Sequence, residues 1–164
     1  MNACESILGL NPYQGGKPIE ELERELGITN ITKLASNENP LGVSSKVIEA
    51  IKSSLSGINR YPDGNAFELK KAISDHLMVD SEMISLGNGS NELLELIARV
   101  FVCEKTDEVI FSQYAFVVYP LVTQALGATP KIAPAKNYGH DLNAMLDLIN
   151  ENTKLIFVAN PNNP

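Results

Sequence analysis

The sequence predicts an α/β fold in which an N-terminal arm and helices precede the start of a mainly parallel, helix-covered sheet. Three observations carry this. From about residue 83 onward, short apolar strand patterns alternate with amphipathic helical ones. Such alternation implies right-handed crossovers and parallel pairing, with helices on both sheet faces. The last strand pattern, Lys154 to Ala159, is continuously apolar, as a strand covered on both faces must be. Before residue 83 the apolar spacing is helical and is broken by proline and glycine.

Taken in order, Pro12 and Gly15-Gly16 break the arm. Pro18 suits the first turn of a helix, Ile19, Leu22 and Leu26 share one face, and Gly27 suits its end. A short extended piece, Ile31 to Ala35, enters the loop Ser36-Asn37-Glu38-Asn39-Pro40-Leu41-Gly42. Ser44 to Leu55 reads as a helix, with Val47, Ile48, Ile51 and Leu55 on one side. Tyr61-Pro62-Asp63-Gly64 is a turn, and Asn65 with Glu68 has capping-box spacing ahead of the stripe Ala66, Leu69, Ile73, Leu77. Strands are expected at Met83–Leu86, Glu108–Ser112, Thr129–Ala133 and Lys154–Ala159. Helices are expected at Glu92–Val102, Val117–Leu126, closed by Gly127, and Leu142–Ile149.

The 164 residues carry 44% hydrophobic and 20% charged side chains, the balance of a globular chain. No apolar run approaches the roughly 18 residues of a membrane helix, and the N-terminus has no basic leader region. A cytoplasmic protein is expected. Cys4 and Cys103 have no metal or redox spacing and read as reduced thiols; no metal site is expected. Asn30-Ile31-Thr32 and Asn88-Gly89-Ser90 match the glycosylation sequon by accident on this reading. The net charge of −7, without a basic run, argues against nucleic acid as a partner.

Ligands of parallel sheets bind beyond the carboxyl ends of the strands, so the segments after strands matter most. Gly87-Asn88-Gly89-Ser90-Asn91-Glu92 opens a helix. Glycine lets an anion approach the backbone, and the free amides and dipole of a helix start hold phosphate. A dinucleotide site is a second reading, weakened by Glu92 where a third glycine is required, although Asp107 has suitable spacing for a ribose contact. A plain glycine turn capped by Ser90 is a third. In Ser112-Gln113-Tyr114-Ala115-Phe116-Val117-Val118-Tyr119 an aromatic after the strand can lie on a planar ring, or Phe116 and Tyr119 can be core. Asn160-Pro161-Asn162-Asn163-Pro164 is a rigid loop able to aim an amide at a ligand, or an ordinary turn.

These motifs, in this order, resemble the fold-type-I, class-II-type pyridoxal-phosphate-dependent aminotransferases, most narrowly the histidinol-phosphate aminotransferases. The resemblance covers nearly the whole chain, through Asn11-Pro12-Tyr13, Leu34-Ala35-Ser36-Asn37-Glu38-Asn39-Pro40, Asn59-Arg60-Tyr61-Pro62-Asp63-Gly64 and the terminal Asn-Asn-Pro.

The resemblance implies that residues 1–42 form the arm and part of a small domain, and that 43–164 begin the cofactor-binding large domain. It implies that Gly89, Ser90 and Asn91 bind the phosphate of pyridoxal 5'-phosphate, that Phe116 stacks on its ring, and that Asn163 donates to the ring's phenolic oxygen. Tyr61 would reach the phosphate of the partner's cofactor in a homodimer. Tyr13 and Asn37 would line the substrate pocket. Arg60 reads equally as a phosphate ligand or a surface ion pair, and His76 and His140 as surface residues.

The implied reaction exchanges an amino group between histidinol phosphate and 2-oxoglutarate, giving imidazole-acetol phosphate and glutamate, in L-histidine biosynthesis. None of the ten lysines matches the Schiff-base position, which the resemblance puts beyond Pro164. The 164 residues by themselves are therefore expected to be inactive and poorly folded, with an open strand edge at 154–159. Sister activities on the same fold (an aromatic amino acid aminotransferase, a threonine-phosphate decarboxylase), a nucleotide-binding module and a non-catalytic truncated paralogue are the alternatives.

Overall fold

The computed structural model describes residues 3–13 and 15–162. They group into two compact units, one made of the arm up to Tyr13 together with Ser85 onward, the other of the stretch between them up to Ile84.

In the intervening unit, helix α2 (Ile19–Leu26) starts after Pro18 and ends at Gly27, whose φ of 65° lets its amide return to the Glu23 carbonyl. Helix α3 (Ser45–Ser54) runs into a 3-10 turn, Leu55–Gly57, and helix α4 spans Phe67–Leu77. The expected capping box at Asn65 is replaced. Ala66 turns left-handed (φ 49°), and this brings the Asp63 carboxylate over the helix start. It accepts from the amides of Phe67 at 3.0 Å and Asn65 at 2.9 Å, and these bonds hold the carboxyl below its ordinary range. Val47, Ile48, Ile51 and Leu55 share a face as expected, and all four are exposed.

The expected strand at Met83–Leu86 does not form. Ser81–Met83 is a 3-10 turn held by Asp80, whose carboxylate accepts from the Glu82 amide, and 84–87 are without a ladder. A strand exists by pairing, and neither edge of the sheet takes this segment as a neighbour.

In the sheet unit, helix α1 (Glu5–Leu8) belongs to the arm. Helix α5 (Ser90–Phe101) leads to strand β1 (Glu108–Ser112), helix α6 (Val118–Ala125) and strand β2 (Thr129–Ala133). A hairpin of two-residue strands follows, β3 (Ala135–Lys136) and β4 (Gly139–His140). Helix α7 (Leu142–Asp147) and strand β5 (Thr153–Ile156) complete the unit. The sheet has the order β2-β1-β5, all parallel, with β1 in the centre and β5 on an edge.

All of β1 is buried, and its alternating side chains serve two cores. Val109 and Phe111 pack with Ala98, Val102, Val118, Tyr119, Val122 and Phe157 on one face. Ile110 packs with Ala133 and Met145 on the other.

The turn from α5 into β1 is tied by Asp107, only 4% exposed, whose carboxylate accepts from the amides of Cys103 at 2.8 Å and Glu104 at 2.9 Å. The bonds to Glu104 and Cys103 hold its carboxyl below the ordinary value, with a smaller contribution from Lys154. A depressed native value adds stability that is present above the unfolded value, about 3.9 for aspartate, and lost as pH falls through the native one. Asp107→Asn is therefore expected to be less stable than the parent at pH 7, with the gap narrowing below about pH 4. Urea unfolding at a series of pH values checks this, and a gap independent of pH would contradict it.

Candidate functional site

The start of α5 has the geometry of an anion cradle. Gly89 takes the cap position at φ 89° and ψ 170°, a combination reserved for glycine. A side chain built there would meet nothing within 4 Å, so the backbone lies open to an incoming group. Beyond it run the first amides of a 12-residue helix, which have no partner within the helix, and the Ser90 hydroxyl stands beside them. Glu92 reaches back and accepts from the Asn88 amide. Its carboxylate also stands over Gly87, where a Cβ would come within 2.9 Å of Glu92 Oε2 and 3.1 Å of Leu93 Cγ. A side chain at Gly87 would press on the Glu92 and Leu93 side chains, whereas Gly89 is required for its dihedrals.

The dinucleotide reading fails on two counts here. Glu92 fills the space a third fingerprint glycine would leave open, and the Asp107 carboxylate is buried and committed to the turn after α5.

At the carboxyl end of β1, Phe116 is half-buried, packed against the core with its ring edge-on to Tyr119 at 6.2 Å and 89°. Tyr119 itself is core, stacked on Phe157 at 4.4 Å and 5°. Beyond β5 the Asn160–Pro161 peptide is cis, and Asn162 Nδ2 donates to the Tyr114 carbonyl at 3.0 Å. Asn163, expected at the ring oxygen, lies outside the described residues.

The β3–β4 hairpin contacts the segments that follow β1 and β5. Its turn places Asn137 (φ 51°) and Tyr138 (φ 64°) in the left-handed region, as a two-residue hairpin loop requires. The Tyr138 ring packs against that of Tyr114, centroids 5.3 Å apart. His140, expected at the surface, is instead half-buried, with Nε2 2.8 Å from the Ala159 carbonyl.

Tyr13 lines a cavity of about 480 Å³ with Leu10, Arg99, Leu121 and Leu126, against the later turns of α5 and α6. At 1.5 Å of rise per residue, Arg99 is about 14 Å along the helix from Ser90, so Tyr13 is not gathered at the cradle of its own chain. In the intervening unit, Asn37 and Arg60 are exposed and Tyr61 is fully exposed, so its ring does not pack beneath the Pro-Asp-Gly turn. Among the described residues no group of three or more metal-ligating side chains occurs, and no helix is long and apolar enough to cross a membrane.

The family description "Aminotransferase class I and II" matches residues 29–164. The chain belongs to this family. A histidinol-phosphate aminotransferase of Mannheimia succiniciproducens is 61% identical over 162 residues, covering 99% of this chain and 44% of its own length. One from Pasteurella multocida is 58% identical over 160 residues, covering 98% of this chain and 44% of its own. The fold agrees. The Sinorhizobium meliloti histidinol-phosphate aminotransferase, solved in complex with pyridoxal-5'-phosphate, superposes with a TM-score of 0.85 at 27% identity, covering 98% of this chain and 42% of that one. The chain thus spans less than half the length of the relatives it matches.

In this member of the family, sequence reasoning missed the hairpin, its Tyr114–Tyr138 contact and the His140 bond. The signal available was Asn137-Tyr138-Gly139 between two strand patterns, a weak form of the hairpin signature because tyrosine occupies the second central position.

Proposed function

We propose that the full-length protein carrying this chain is a pyridoxal-phosphate-dependent histidinol-phosphate aminotransferase, working as a cytoplasmic homodimer in L-histidine biosynthesis. The observation that carries this is the open glycine-capped start of α5 in a chain 61% identical to a protein of that activity.

Residues in this chain fit the cofactor. Gly89 leaves the backbone bare, so the amides of Gly89, Ser90 and Asn91 would hold the phosphate. Phe116 would offer its unpacked face to the ring, and the Asn163 side chain would donate to the phenolic oxygen. Bound there, the cofactor supplies an electron sink for the carbon that loses its proton. The chain's own contribution is positioning and exclusion of water.

The full exposure of Tyr61 supports its reaching a second copy's phosphate. Tyr13 and Asn37 remain our candidates for the substrate pocket. Residues 43–164 are read as the first part of the large domain, preceded by the arm and part of the small domain.

The full-length protein, supplied with pyridoxal 5'-phosphate and 2-oxoglutarate, is expected to form glutamate from histidinol phosphate with a kcat/KM about a hundredfold or more above that for phenylalanine. Preference for phenylalanine, release of carbon dioxide from threonine phosphate, or no glutamate at all would each sink the assignment.

A further inference from the structure

The sequence carries one asparagine followed by glycine, Asn88-Gly89, and the pair leads directly into the start of α5. A glycine in second place has no Cβ, so the preceding side chain can reach its amide nitrogen and the backbone can turn to allow it. Both groups that would meet are free. Asn88 is exposed, and among the described residues its side-chain carboxamide has no hydrogen-bond partner; only its backbone amide is held, by Glu92. The Gly89 amide donates to no acceptor among the described residues, and no atom lies within 4 Å of where a Cβ would stand.

The chain holds one comparable pair, Asp63-Gly64, and there the side chain is committed. The Asp63 carboxylate accepts from the amides of Phe67 and Asn65, and these bonds favour its ionised form, whose carbon is a poor electrophile. The pair at 88–89 has no such restraint.

We propose that Asn88 is a site of spontaneous deamidation and that cofactor occupancy controls it. The Gly89 amide nitrogen gives its proton to solvent hydroxide and bonds to Asn88 Cγ. The Cγ–Nδ2 bond breaks and ammonia leaves, giving a cyclic imide. Water then opens the ring. Cleavage between Cγ and the Gly89 nitrogen yields aspartate. Cleavage between the residue-88 backbone carbonyl carbon and that nitrogen yields isoaspartate, in which the chain runs through the side chain. Water is consumed, ammonia is released, and nothing is oxidised or reduced.

Either product puts a negative charge beside the seat of the phosphate, and isoaspartate also adds a methylene to the backbone ahead of Gly89. Both oppose anion binding at the helix start. A bound phosphate, in turn, takes up the Gly89 amide and withdraws the nucleophile. This rests on the reading of the helix start as the phosphate cradle.

The test incubates the full-length protein in mildly alkaline buffer, with and without pyridoxal 5'-phosphate. Peptide mass spectrometry and an isoaspartate-specific methyltransferase follow residue 88. With cofactor at about a hundred times its Kd, about one molecule in a hundred has the amide free. Conversion is therefore expected to be at least about tenfold slower than in the cofactor-free protein. The aged cofactor-free protein, and Asn88→Asp made directly, should each bind the cofactor about tenfold more weakly than the fresh parent. Asn88→Gln, whose longer side chain would have to close a larger ring, should keep its affinity on incubation.

No conversion at residue 88 without cofactor, or equal rates with and without it, would overturn the proposal. So would an Asn88→Asp protein that binds as tightly as the parent, or an Asn88→Gln protein that loses affinity at the parent's rate. A fresh parent that binds no cofactor would instead defeat the cradle reading, while mapping of that protein would still judge whether Asn88 converts.

Discussion

Gly89→Ala in the full-length protein is expected to weaken pyridoxal 5'-phosphate binding by about tenfold to a hundredfold. At φ 89° and ψ 170° the backbone is in a region that only glycine enters without strain. Forcing another residue there costs about 1–3 kcal/mol. The space around Gly89 is open, so the added methyl meets no neighbour and the strain is entirely in the backbone. It can be relieved only by rotating the peptide units before and after residue 89, and these are the units whose amides point out of the helix start. With 1.4 kcal/mol per factor of ten, even partial relief moves the affinity by one or two decades.

Ser90→Ala, which removes one hydroxyl and leaves the amides in place, is expected to cost less, about threefold to tenfold. Cofactor titration followed by visible absorbance gives both values. A Gly89→Ala protein with the parent's affinity, or a Ser90→Ala protein weaker than it, would show that the phosphate is not held by this helix start.

Phe157→Ala is expected to have the largest effect on stability, a loss of about 3–5 kcal/mol. Phe157 is 6% exposed and stacks face to face on Tyr119, the residue that links α6 to Phe111 and Phe116. Its amide also continues the ladder, donating to the Ile110 carbonyl at 2.8 Å. Truncation removes the ring from the centre of the core and leaves a cavity that backbone pairing on one side cannot close. Phe157→Leu retains most of the volume and is expected to cost about 1–1.5 kcal/mol. The ordering, with alanine far below leucine, follows from a packed core. Urea unfolding measures it, and equal midpoints for the two variants would contradict it.

Much of this was legible because its causes are local. Gly27 and Gly127 both end helices with positive φ, at 65° and 75°, where the sequence placed the stops. Strand β1 coincides with an apolar run because a central parallel strand must be apolar on both faces. Strand β2, by contrast, forms where expected although it is a largely exposed edge strand. Strand β5, expected over Lys154–Ala159, runs from Thr153 to Ile156 on the other edge with alternate residues exposed. The cradle was readable since Gly87, Gly89 and Ser90 fall within four consecutive residues and act through local geometry.

Illegible features depend on partners distant in the chain. Met83–Leu86 has the composition of a strand, but pairing is decided elsewhere. The β3–β4 hairpin has strands too short to show a period. His140 and Ala159 are 19 residues apart, and nothing in either neighbourhood marks the bond between them. At Asp63 the error was one of geometry: a left-handed Ala66 redirects the cap, and alanine gives no warning of that conformation.

The most direct measurement is a crystal structure of the full-length protein with pyridoxal 5'-phosphate bound. The expected result is a phosphate at the start of α5, with its oxygens about 3 Å from the amides of Ser90 and Asn91. A cofactor phosphate seated on any other element, with the Gly89 backbone facing only solvent, would contradict the assignment of this chain's helix start as the cradle.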